Sequence, residues 1–394
     1  VIKNYLLLLI LLSAVVAKAQ YLPLSENSEV SILTIGPGTD LNDAFGHNGF
    51  RIHDEVNKVD IVYDYGRYDF NTPNFYLKFA RGKLLYELGS ANFEPFFSYY
   101  KSQNRWVKEQ TLNLSYSEKQ ALFTFLQKNA KPENKKYKYD FFYDNCATKI
   151  RDVLIDVLGD KLHYTEDHIN EDYTFRQLIQ KNVKANSWGS LGMDIAIGAV
   201  VDRKAKPIEY QFLPEYINKG AENAIIKRGD IEVPLVVKSA TLFNAEKQED
   251  ADSFFGSPLF VFGCLGLLIV FITYNDFKNK SRSRLTDAII FFCSGIIGFL
   301  LLLLWFATDH TATANNYNLL WAVPISLLFF GSILRKEPKK WFKKYVFFLL
   351  LLLALLTIHW ITGVQEFAIG LLPLLVALLI RYVYLWRYLS KKYT

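Results

Sequence analysis

The chain has 394 residues, a formal net charge of +6 and a hydrophobic fraction of 51%. That length accommodates two domains, and the charge does not point to nucleic acid, because the basic residues of the second half cluster between apolar runs. The average conceals a split: residues up to about 252 have a soluble-type composition, and those after it are dominated by Leu, Ile, Phe and Val.

Residues 1–19 read as an export leader. Lys3 supplies a small positive region, residues 5–16 an apolar one, and Ala17-Lys18-Ala19 a small-x-small cleavage site before Gln20. No Cys follows that site, so the chain is not itself expected to be a lipoprotein. An uncleaved leader would act as an extra anchor with the same topology.

The exported part, residues 20–252, reads as mixed α and β. Residues 31–35 form a short strand candidate, and 44–53 and 59–65 two strands separated by a turn near 54–58. Residues 117–129 predict a helix capped by Ser117. Residues 146–158 predict another, with Ile150, Val153, Leu154, Val157 and Leu158 on its apolar face and Gly159 as its stop. Further helices are expected at 174–181 and 214–224, and a strand at 230–242 that Pro234 keeps at a sheet edge. The aromatic run from Phe93 to Tyr100, with Trp106, reads as core, with a membrane-interface surface as the alternative. Residues 244–252 read as a hinge.

After residue 252, five runs have the length and composition to cross the bilayer core of about 30 Å: residues 254–274, 285–307, 318–334, 345–361 and 367–386. Their connections alternate between basic and free of Lys and Arg. Lys278, Lys280, Arg282 and Arg284 follow the first run, Arg335 to Lys344 contain six basic residues after the third, and Arg387, Lys391 and Lys392 lie near the end. The positive-inside rule places these loops and the C-terminus in the cytoplasm and residues 20–252 outside, in agreement with the leader. Arg381 is expected to snorkel to the cytoplasmic face. With ionisable residues nearly absent from mid-span, coupled transport is disfavoured.

Only three cysteines occur. Cys264 and Cys293 fall in apolar runs and read as small hydrophobes. Cys146 is the one thiol of the exported domain, without a disulfide partner in an oxidising compartment. Asp144 or Asn145 can cap the helix that begins there, which puts Cys146 in its first turn. The helix dipole then favours a thiolate, and free N–H groups can receive an oxyanion. A buried structural thiol is the plain alternative.

A thiol nucleophile needs a base. His47, in the run Gly46-His47-Asn48-Gly49, shares a strand face with Arg51 and His53. His53, His163 and His168 are rival bases, the last two in a polar loop. Asp60 and Asp64 lie on the neighbouring strand, and Asp64 is favoured to orient the imidazole. Asn145, Arg51 and Tyr143 are candidates for holding substrate or the oxyanion. Metal-protease, P-loop, CxxC and GxSxG signatures are missing, and Asp40, Asp43 and His47 do not complete a ligand set, so no metal and no cofactor is assigned.

Several stretches resemble the Lnb family of lipoprotein N-acyltransferases. They are Ser31 to Thr39 leading into Ala44-Phe45-Gly46-His47; Tyr65-Gly66-Arg67-Tyr68-Asp69-Phe70; Phe75-Tyr76-Leu77-Lys78-Phe79; Tyr139 to Thr148; Thr174-Phe175-Arg176; and Phe212-Leu213-Pro214. The resemblance spans most of residues 30–225 plus the multi-span tail. It implies an α+β, circularly permuted papain-like domain akin to NlpC/P60 proteins, followed by an all-α bundle of five transmembrane helices. It also implies Cys146 as nucleophile and His47 as base, with a phospholipid as acyl donor and a diacylglyceryl lipoprotein as acceptor at the inner membrane. A cell-wall peptide hydrolase or amidase, and a non-enzymatic membrane assembly protein, are the alternatives.

Overall fold

The computed structural model describes residues 23–169, 171–246 and 254–392. The expected leader and most of the expected hinge lie outside the described residues. The exported part is built on a sheet from β1 (Glu29–Ile35), β2 (His47–Asp54), β3 (Val59–Arg67), β4 (Leu85–Asn92), β5 (Val107–Leu112) and β6 (Lys136–Lys138). A small second sheet contains β7 (Leu162–His163), β8 (Ile225–Arg228) and β9 (Ile231–Pro234), after which β10 (Val236–Phe243) returns to the large one. The large sheet runs β10-β5-β1-β2-β3-β4-β6, with every pair antiparallel.

Helices cover both faces of this sheet, which is why every residue of β1 after Glu29 is buried, Ser31 and Thr34 included. In chain order they are α1 (Phe75–Ala80), α2 (Phe93–Ser102), α3 (Tyr116–Asn129), α4 (Cys146–Leu158), α5 (Phe175–Gln180), α6 (Trp188–Ala196) and α7 (Pro214–Asn223). Val30, Ile32, Phe50, Ile52, Tyr63 and Tyr65 pack on one side against Leu122 and Leu126 of α3, Ile150 and Leu154 of α4, and Ile217 of α7. Leu33, Ile35 and Val62 point to the other side and meet Phe96 of α2. Period-two alternation thus survives as a choice between two cores.

Two boundaries differ from expectation. α3 is capped by Ser115, because Ser115 and Glu118 close a reciprocal capping box, whereas Gln120, three residues after Ser117, accepts from Leu24 N at 2.8 Å. The expected strand 230–242 is two strands in two sheets. Pro234 lacks the N–H that would continue the ladder, and the buried Leu235 turns the chain from β8 to β5.

The C-terminal region contains α8 (Pro258–Lys278), α9 (Arg284–Phe306), α10 (Ser326–Ile333), α11 (Trp341–Ile361) and α12 (Leu372–Lys392). Among the described residues, four helices are long and apolar enough to cross a membrane, and they expose side chains such as Leu267, Phe271, Leu300 and Phe306 on their outer faces. The third expected run, residues 318–334, is not such a helix. It opens with a 3-10 turn, Tyr317–Leu320, and Pro324 separates that turn from α10. The eight residues of α10 rise only about 12 Å at 1.5 Å each. The two ends of the segment are nonetheless held at opposite ends of the bundle. Asn318 donates to Asp194 O and Ile195 O of the sheet domain at 3.0 and 3.2 Å, while Arg282, in the α8–α9 turn, donates to Ile333 O and Arg335 O at 2.6 and 2.9 Å. Irregular backbone at such depth needs protein around it. α9 supplies that at Gly295 and Gly298, where any side chain would strike Leu327 and Ala322.

Arg381 does not snorkel. It is fully buried and bonds Asp276 of α8 at 2.7 Å and Asp287 of α9 at 2.8 Å, tying three helices together. The sheet domain rests on the bundle through backbone contacts, Gly198 N to Ala312 O and Ala199 N to Asn315 O, each 2.9 Å. Beside them the buried Arg176 bonds Asp202 at 2.7 Å and Asp194 at 2.9 Å.

Candidate active site

β2 begins and β3 ends at the same edge of the large sheet, because the two are antiparallel. The N-terminus of α4 abuts this edge. Asn145 caps α4: its Oδ1 accepts from Ala147 N at 2.8 Å and Thr148 N at 2.9 Å, while Thr148 Oγ1 accepts from Asn145 N at 2.8 Å. Of the two caps open from sequence, Asp144 instead pairs with Lys149 at 2.7 Å. The cap fixes Cys146 as the first helical residue, half-buried and without a disulfide. Its own N–H is the first-turn donor that Asn145 does not take.

His47 Nε2 lies 3.1 Å from Asp64 Oδ2. Cys146 is close enough to bear on the protonation of the ring, and since Nε2 is occupied by the carboxylate, Nδ1 is the nitrogen left free. Burial works against a charge on His47. Interactions with the Tyr100 and Cys146 side chains and the bond to Asp64 outweigh it, so the imidazole is held well above its ordinary 6.5. Burial likewise opposes ionisation of Asp64, yet bonds from His47 and Arg67 hold its carboxyl below the ordinary 3.8. Arg67 Nε donates to both Asp64 oxygens, at 3.0 and 3.1 Å.

This Arg was not among the sequence candidates. Residues three apart on a regular strand point to opposite faces, but the β3–β4 register slips between Asp64 and Arg67. Gly66 makes the slip possible at φ +95°, and a side chain there would sit 3.4 Å from Cys146 Cβ. A glycine inside a strand pattern was the available signal. Tyr100, with its ring 6.1 Å from that of His47, was hidden in the aromatic run because α2 itself was not anticipated.

A cleft of about 580 Å³ opens on His47, Asp64 and Arg67, walled by Tyr68, Tyr100 and Arg105 among others. The three residues expected to hold substrate or oxyanion are otherwise engaged. Asn145 Nδ2 donates to Phe141 O at 2.7 Å and Phe212 O at 2.8 Å, so its amide has no proton left for an oxyanion. Arg51 is clamped by Asp60 at 2.8 Å and Glu109 at 3.1 Å and lies over the Phe93 ring, because β3 and β5 both present carboxylates to its face. Tyr143 is turned outward, with its hydroxyl accepting from Arg203 at 3.2 Å. Among the rival bases, His53 sits at the far end of β2 near Glu55 and Asp60, and His163 belongs to the small sheet.

Two family descriptions match the chain. Residues 19–181 match the Lnb N-terminal periplasmic domain, and residues 248–393 match the Lnb transmembrane domain. Neither a curated protein nor a solved structure matches it. The first match covers the cysteine, the histidine and the aspartate described above, and the second covers the apolar helices below them. With a periplasmic sheet domain and a membrane domain in this order, the chain belongs to the Lnb family, whose domains imply a membrane-associated role in lipoprotein biogenesis.

Proposed function

We propose that the protein is a thiol-dependent lipoprotein N-acyltransferase whose nucleophile is Cys146, whose base is His47 and whose orienting acid is Asp64. The observation that carries this reading is the juxtaposition of three residues at the capped end of α4: Asp64 bonds His47, and Cys146 lies beside Gly66 at the end of the same strand pair. A carboxylate on Nε2 fixes the tautomer and leaves Nδ1 free to take the proton of a thiol, which is what nucleophile activation requires. A helix-borne cysteine against a strand-borne histidine also supports a permuted papain-like ancestry for the sheet domain.

In the first half-reaction the thiolate attacks an ester carbonyl of a phospholipid. The C–S bond forms, the C–O bond breaks, and the imidazolium returns a proton to the leaving glycerol oxygen, releasing a lysophospholipid. The Cys146 N–H at the start of α4 faces the developing oxyanion. In the second, the free α-amine of a diacylglyceryl-cysteine lipoprotein attacks the thioester. The C–N bond forms, the C–S bond breaks, and His47 takes the amine proton. Both substrates are membrane lipids, which gives the apolar bundle its use: it holds the site at the outer leaflet of the inner membrane. On this reading residues 1–19 are a leader, residues 20–252 the periplasmic domain and residues 253–394 the membrane domain, with its C-terminus in the cytoplasm.

The test is mass spectrometry of lipoprotein N-terminal peptides from cells lacking the gene. Complementation with the wild type restores the amide-linked acyl chain, and Cys146→Ala does not. Unchanged N-acylation in all strains, with no redundant enzyme present, would sink the proposal and turn attention to wall-peptide cleavage.

A further inference from the structure

The connection between β3 and β4, residues 68–84, stands apart from both cores. Its helix α1 buries no residue. Phe70 is 66% exposed, Tyr76 78%, Leu77 58% and Phe79 53%. So many large apolar side chains on one short segment are not left to water in a settled fold. The segment is also held in place. Asp309 N donates to Arg81 O at 2.9 Å, and His310 Nε2 lies 3.1 Å from Phe79 O and 3.2 Å from Ala80 O. Gly82, at φ +65°, lets His310 approach so closely that a side chain there would sit 3.1 Å from its N.

The anchor decides the depth. α9 ends at Phe306, itself 71% exposed on the bundle surface. Only Ala307 and Thr308 separate Phe306 from Asp309, at most about 10 Å of extended chain. The polar zone on each side of the hydrocarbon core is itself roughly 5–8 Å deep, so α1 lies at the level where a bilayer meets water. Its chemistry suits that level: aromatic rings, with Lys78, Arg81 and Lys83 interspersed to meet lipid phosphates. From α1 a run of rings leads inward. Phe75 lies 5.8 Å from Tyr68, Tyr68 5.3 Å from Tyr86, and Tyr86 4.3 Å from Tyr139. A side chain at Gly66 would lie within 4.0 Å of both Tyr139 and Cys146.

We propose that α1 and its flanking rings are a membrane-docking element that embeds at the headgroup–acyl boundary beside the periplasmic end of α9 and opens the cleft directly onto lipid. The occupant of this surface is the bilayer itself. The link from docking to substrate delivery rests on the acyltransferase reading, but docking can be read without turnover.

The experiment uses the full chain with Cys146, Cys264 and Cys293 replaced by Ala, in nanodiscs of phosphatidylethanolamine and phosphatidylglycerol. An environment-sensitive fluorophore is attached through Tyr76→Cys, or in a second protein through Val56→Cys in the β2–β3 turn, where Val56 is 68% exposed. The proposal predicts blue-shifted emission at position 76. It also predicts several-fold stronger quenching there than at position 56 by a lipid spin-labelled high on its acyl chain, and several-fold weaker quenching by iodide. A position-76 label as open to iodide as position 56, and blind to the spin label, overturns it. Protection from iodide without lipid quenching also overturns it, by assigning the surface to a protein partner. Because Cys146 is replaced throughout, none of these outcomes depends on whether acyl transfer is the reaction.

Discussion

Two ion networks of similar make-up sit at opposite ends of this molecule, and they do different things. In the bundle, Arg381 is sealed between Asp276 and Asp287 with no accessible surface. In the sheet domain, Arg67 grips Asp64, but Asp64 also holds His47, which lines a cleft beside the N-terminus of α4. The first network saturates its charges on one another. The second passes one carboxylate lone pair to a titratable ring, which leaves that ring a second nitrogen for chemistry. A buried charge therefore marks a site here only where it ends on a proton carrier and a nucleophile.

Substitutions separate the two networks. Arg381→Met removes the guanidinium that Asp276 and Asp287 share, leaving Asp276 its bonds from Ser281 and Ser283 and Asp287 only Arg282 at 3.6 Å. Losing one side of such a buried pair costs about 3–5 kcal/mol. Thermal unfolding of the purified protein in detergent should show that loss. A melting temperature equal to wild type would mean the cluster is solvated. His47→Ala should do the reverse, abolishing acyl transfer while leaving the unfolding temperature near wild type.

Asp64→Asn should lower turnover by on the order of 10²- to 10⁴-fold, because the amide no longer fixes the tautomer or supports the imidazolium. It should also lower the His47 pKa, since Asp64 is among the groups that raise it. In the wild type, the stability contributed by charged His47 is fully present below its ordinary value of about 6.5 and fades as pH rises through the higher folded value. The Asp64 contribution has the opposite sense: it is present above about 3.8 and is lost as pH falls through the lower folded value. NMR titration of labelled histidine in both proteins reads the shift, and an unmoved His47 would disconnect Asp64 from the site.

Gly66→Ala is the smaller test. A side chain at φ +95° is strained by roughly 1–2 kcal/mol and would sit 3.4 Å from Cys146 Cβ. The variant should lose activity out of proportion to its loss in unfolding free energy. Loss in stability alone would mean that the bulge serves the sheet and not the nucleophile.

Much of the sheet-domain site was legible because its signals are local. α4 begins and ends where its cap and Gly159 predict, and His47 and Asp64 fall on neighbouring strands with a short turn between them. What escaped is non-local. The Arg67–Asp64 contact needs a register slip that alternation cannot anticipate. The partners of Arg381 lie on two other helices, and Pro324 turns an apolar run of adequate length into a broken crossing. The capping amide of Asn145 shows the reverse error: a polar side chain next to a nucleophile reads as catalytic until its bonds to Phe141 and Phe212 are seen.

The central claim is that Cys146 carries the acyl group, and intact-protein mass spectrometry tests it most directly. Purified protein incubated with phospholipid and no lipoprotein acceptor should gain the mass of one acyl chain. Hydroxylamine should remove the adduct, and Cys146→Ala should never form it. An adduct that survives in Cys146→Ala, or none in the wild type while transfer to an added acceptor proceeds, would contradict the account.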